Sequence, residues 1–204
     1  MANKKIIEEK DVKEYLSRDF VQSYEQLRHY DKTSLDFFKF AFSGYCTLFA
    51  AIWALHNWSS LIKINLSLLV SLICIYGFLI GFAILMLILK NRTYYVRTAR
   101  YLNEQRAYFL KNNTIGFRNR SRMFDDCKEP SYFNWHSTHS IFIYLIILFN
   151  SSLFLLMIYS MGLLGNYAER SFIIGIFMWG SPIYLFQLFI AVAYLLFHEP
   201  NNSH

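Results

Sequence analysis

The chain has 204 residues, of which 55% are hydrophobic and 19% aromatic; only 34 are formally charged, and the net charge is +6. Soluble domains charge roughly a quarter of their positions, whereas four windows here, Phe40–Ile62, Ile64–Leu89, Ser137–Ala168 and Ser171–Phe197, hold no Asp, Glu, Lys or Arg over 108 residues. About 20 apolar residues carry a helix across a hydrocarbon core, so this pattern excludes a soluble globular domain and a disordered chain, and its lack of alternating polarity excludes a β-barrel.

Residues 1–36 open the chain without an apolar core and cleavage site, so they do not read as a signal peptide. Val12, Leu16, Phe20, Tyr24 and Leu27 recur every three or four positions and predict an amphipathic helix over 6–30. Eight basic and eight acidic residues cancel through position 39. A segment of zero net charge gains little from an anionic membrane, so a protein partner or the chain's own loop is the expected contact. Thr33, Ser34 and Asp36 are expected to cap the first membrane helix.

A transmembrane hairpin is expected over 37–89. Its first helix closes on Trp53, His56 and Trp58, an interfacial aromatic cluster. The second carries Ser67, Ser71, Cys74, Gly77 and Gly81 at helical spacing, and Gly77–Gly81 reads GFLIG. Such small residues let helix backbones approach closely, so this line is expected to be either a helix-packing seam or an oligomer contact.

Residues 90–136 hold ten basic and four acidic residues, which accounts for the whole net charge of the chain. The run KNRTYYVRTARYLNEQRAYFL predicts a continuation of the second helix, with Arg100 and Glu104 placed as an i,i+4 pair. Beyond Asn112, Asn113 and Gly116, which suit a helix end, Arg118, Arg120 and Arg122 alternate. With Arg97, Arg100 and Arg106 they form the expected basic face. Three occupants suit it: anionic headgroups, a phosphate-bearing nucleotide or nucleic acid, and the charge-rich N-terminal helix.

A second hairpin is expected over 137–197, followed by a tail over 198–204. Asn150, Ser151 and Gln187 fall inside its helices, where they either bond across helices or line a pore. Pro182 is expected to kink the fourth helix. Because 18 of the 20 basic residues lie in 1–39 and 90–136, the positive-inside rule puts both termini and the central segment in the cytoplasm. The two outer turns are too short for an ectodomain, which excludes claudin-like and tetraspanin-like architectures. No carboxylate lies in the four windows, which excludes small proton-coupled exporters.

Catalytic signatures are absent: the sequence has no phosphate-binding glycine loop, HExxH or GxSxG. Cys127, His136 and His139 make the best metal candidate, but their spacing matches no zinc module, and no cofactor is expected. The layout of residues 10–111, with Tyr94, Arg97, Arg100, Leu102, Asn103 and Arg106 in YYVRTARYLNEQR, resembles the SLATT group. These small bacterial membrane proteins accompany antiviral defence systems and are proposed to form pores. The second hairpin departs from that group and is more similar to the four-helix membrane accessory proteins of some phage-defence loci.

The expectation is thus an all-α integral membrane protein with four transmembrane helices, an N-terminal amphipathic helix and a basic helical cytoplasmic segment between helices 2 and 3. The resemblance implies a non-enzymatic, homo-oligomeric component of the bacterial inner membrane in antiviral defence, with membrane lipid and a cytoplasmic protein as partners. It would sense membrane disturbance, recruit an effector or permeabilise the membrane. The alternative is a small channel or transporter for an uncharged solute.

Overall fold

The computed structural model describes residues 2–62, 66–111, 119, 126, 128–161 and 176–199. Four α-helices make up the described fold: α1 (Ala2–Ile62), α2 (Ser67–Lys111), α3 (Thr138–Ser160) and α4 (Ser181–Phe197). All four are long and apolar enough to cross a membrane, the last counted from Met178, which suggests a multi-pass membrane protein.

No cap separates an N-terminal helix from the first span. Thr33, Ser34 and Asp36 lie inside α1, and Ser34 is fully buried. The reason is local: no Gly or Pro occurs before Gly44, so nothing interrupts the helical ladder. Pro182 lies in the first turn of α4, directly after a π-helical turn over Ile176–Gly180.

The chain forms two compact units, Met1–Thr33 with Asn91–Tyr132 and Ser34–Lys90 with Phe133–His204. We call them the charged unit and the span unit. In the span unit Leu85, Ile88, Ile143, Ile147 and Leu153 are buried together with Asn150 and Gln187, while Phe40, Trp53, Leu148, Leu185 and Phe189 point outward. Apolar outside and polar inside is the arrangement a lipid surround requires, because lipid offers polar groups no hydrogen bonds.

In the charged unit the first half of α1 and the last half of α2 run antiparallel. Tyr30 stacks on Tyr94 at 5.9 Å between centroids and accepts a 2.6 Å bond at its carbonyl from Asn91 Nδ2. Further along, Asp19 Oδ2 accepts from Tyr101 Oη at 2.5 Å and from Gln105 Nε2 at 2.6 Å. Arg106 lies over the Phe20 ring, 5.5 Å from its centroid. Three of the five positions of the amphipathic face predicted for α1 are thus turned inward: Leu16, Phe20 and Leu27 are half-buried, but Val12 and Tyr24 are exposed.

Candidate functional sites

A hydrogen-bonded chain runs through the span unit. Tyr45 Oη on α1 donates to Asn150 Oδ1 on α3 at 2.6 Å, and Asn150 Nδ2 donates to Gln187 Oε1 on α4 at 3.1 Å. Gln187 Nε2 donates to Ser151 Oγ and to the Ile183 carbonyl, both at 3.3 Å. Ser151 Oγ then donates to the Ile147 carbonyl at 2.8 Å. All four side chains are at most 4% exposed, so each bond forms where an unmade one costs most.

Gly81 of α2 is the fourth wall. A Cβ there would collide with Tyr45 Oη and Asn150 Oδ1; only glycine lets α2 approach the polar chain. Gly77, one turn away, does the same against Leu48 and Leu153, whose methyls would stand 2.9 and 3.0 Å from its Cβ. Ser71 Oγ meets Ser160 Oγ at 2.6 Å and bonds the Ser67 carbonyl at 2.9 Å. Cys74 is fully buried. The small-residue line of α2 therefore faces other helices of its own chain.

The second arrangement, in the charged unit, is a strap of residues 126 and 128–132 held along α2 by its main chain. Asn103 Nδ2 donates to the carbonyls of Asp126 at 3.1 Å and Glu129 at 2.8 Å. Arg100 Nε donates to Pro130 O at 3.2 Å and its guanidinium covers the Tyr132 ring at 4.8 Å. Arg92 Nη2 reaches Ser131 O at 2.8 Å and its Nε reaches Tyr132 O at 3.2 Å. Asn103, Arg100 and Arg92 thus take five carbonyls in order, so the strap runs opposite to α2. Glu129–Pro130 is a cis peptide.

Arg92 is only 4% exposed. Burial pulls its guanidinium below the ordinary value, while Tyr95 and Asp31 act in the opposite direction. A planar fork of donors suits a row of carbonyls better than a point charge would. Beside the strap lies a cavity of about 470 Å³ lined by Tyr24, Leu27, Tyr95, Leu102, Asn103 and Arg106.

These contacts correct the expected basic face. Arg97 is exposed, but Arg100 faces the strap, and Arg106 lies over Phe20 and donates to Asn103 Oδ1 at 3.2 Å. Arg118, Arg120 and Arg122 lie outside the described residues, as does Cys127. Among the described residues no group of three or more His, Cys, Asp or Glu could hold a metal.

Sequence reading missed Tyr45, Asp19 and Arg92. Arg92 was legible, since it shares a helix line with Val96, Ala99 and Asn103, which puts it on a buried face. No family model matches this chain, and no curated protein or solved structure is significantly similar to it.

Proposed function

We propose that this chain is a non-enzymatic, homo-oligomeric membrane component of bacterial antiviral defence that presents the charged unit to a cytoplasmic protein. The observation that carries the reading is the continuity of α1 and α2. Each contributes a candidate span and then, unbroken, one side of a packed helix pair bearing most of the chain's charge. This layout supports the resemblance to defence-associated membrane proteins. A solute pathway through Asn150, Ser151 and Gln187 is the weaker reading, because these groups bond one another and leave little polar surface for a solute.

The test is phage challenge of bacteria carrying the chain with its native neighbouring genes. The intact locus should lower plaque counts at least tenfold. Asp19→Ala, which removes the acceptor shared by Tyr101 and Gln105, should abolish protection while the protein still reaches the membrane. Equal plaque counts with and without the intact locus would overturn the proposal.

A further inference from the structure

One edge of α2 is exposed along its whole length in the charged unit. Tyr94, Arg97, Tyr101, Glu104, Tyr108 and Lys111 follow one another at steps of three and four, and every one is exposed; the tyrosines are 41–42% accessible. Such steps trace a single line on a helix. On α1 a second line, Asp11, Glu14, Arg18, Val21, Glu25 and Arg28, has the same steps and is also fully exposed. Arg18, Val21 and Glu25 each precede an inward residue, Phe20, Ser23 or Leu27, by two positions. Two positions are about 200° of helix rotation, so this line faces away from α2.

The antiparallel pair sets the levels of the two lines: Asp19 is level with Tyr101, and Tyr30 with Asn91. A second copy related by rotation about an axis parallel to the pair keeps every residue at its level. With the α2 edge of one copy against the α1 line of the next, Arg97 meets Glu25, Glu104 meets Arg18, which also bonds Glu14 of its own helix at 2.5 Å, and Lys111 meets Asp11. Between these ion pairs Tyr94 meets Arg28, Tyr101 meets Val21 and Tyr108 meets Glu14. No like charges face each other over these six levels. One step further Lys90 would meet Lys32, which sets the end of the matched face.

The competing self-contact fails on charge. A two-fold pairing of α2 edges would set Arg97 on Arg97 and Glu104 on Glu104, and copies inserted the same way up cannot pair α2 antiparallel with itself. We propose that the α2 edge of one copy docks on the outer α1 line of the next, giving a head-to-tail interface between copies. Rotation by a whole fraction of a turn closes such contacts into a ring. Exposed ion pairs contribute little alone; the tyrosine rings and Val21 supply burial, and the alternating charges fix register. The proposal rests on the homo-oligomeric reading above.

The test uses the full chain with Cys46, Cys74 and Cys127 changed to Ser. Val21→Cys and Tyr101→Cys variants, each with its own tag, are co-expressed and oxidised in membranes. Disulfides should join unlike tags at least tenfold more than like tags. In nanodiscs Glu104→Arg should shrink the particle, and adding Arg18→Glu should restore its size. A single-chain particle for the cysteine-free protein would overturn the oligomer and the interface together. An oligomer whose cross-links join Tyr101→Cys chains to each other, or that ignores the charge reversals, would overturn the interface alone.

Discussion

In the span unit Asn150 and Gln187 bond each other and two hydroxyls; in the charged unit Asn103, Arg100 and Arg92 bond carbonyls of the strap. In the span unit lipid offers a polar side chain no hydrogen bonds, so its donors and acceptors are met inside the bundle, by other side chains and by the Ile147 and Ile183 carbonyls. In the charged unit the buried Arg92 and Asn103 instead order a length of irregular backbone.

The contrast breaks most sharply at glycine. Gly81→Ala forces a methyl into the Tyr45–Asn150 bond and should destabilise the protein by about 3 kcal/mol, near the upper end for overpacking. Gly44→Ala, which meets nothing within 4 Å, should not destabilise the protein in mixed micelles and should gain up to about 1 kcal/mol of helix propensity. Equal effects at the two glycines would refute the assignment of Gly81. Next, Arg92→Met should free the strap at a cost of about 2 kcal/mol, as expected for charge-assisted bonds. Hydrogen exchange would rise at 128–132 and stay unchanged in α3.

Asn150→Leu unpairs Tyr45 and Gln187 at once and should cost about 1.5 kcal/mol, near the largest values for bonds between membrane helices. A double-mutant cycle with Tyr45→Phe measures the coupling, and strict additivity would mean that the bond contributes nothing. The smallest effect concerns pH. The hydrogen bond to Asp19 raises Tyr101 above its ordinary value, which is about 10 for a tyrosine. A raised value means that the bond's contribution is complete below that pH and disappears as pH climbs through the folded-state value. Alkaline titration of the charged unit should therefore lose one late component in Tyr101→Phe.

Much of the architecture was legible because charge and lipid sort residues coarsely: four uncharged windows correspond to four candidate spans. The join at Thr33–Asp36 was misread because capping residues were weighed without asking whether anything ended the preceding helix. Gly77 and Gly81 stood out as small, but spacing alone does not say whether the helix they admit belongs to the same chain. Arg100 and Arg106 looked like a displayed charge because sequence shows the guanidinium and hides the carbonyls and rings that receive it. Tyr45 gave no signal of its own, since a tyrosine within an apolar run reads as packing until its hydroxyl's partner is seen.

The strap illustrates a division of constraint. Its seat on α2 is made from carbonyls, which every residue type supplies, and Lys128 and Glu129 point their side chains outward. Substitutions at these two positions can accumulate without unseating it, whereas Arg92, Arg100, Asn103 and the buried Tyr132 cannot change freely. The fold thus leaves positions 128 and 129 open to change while the anchor that seats them stays fixed.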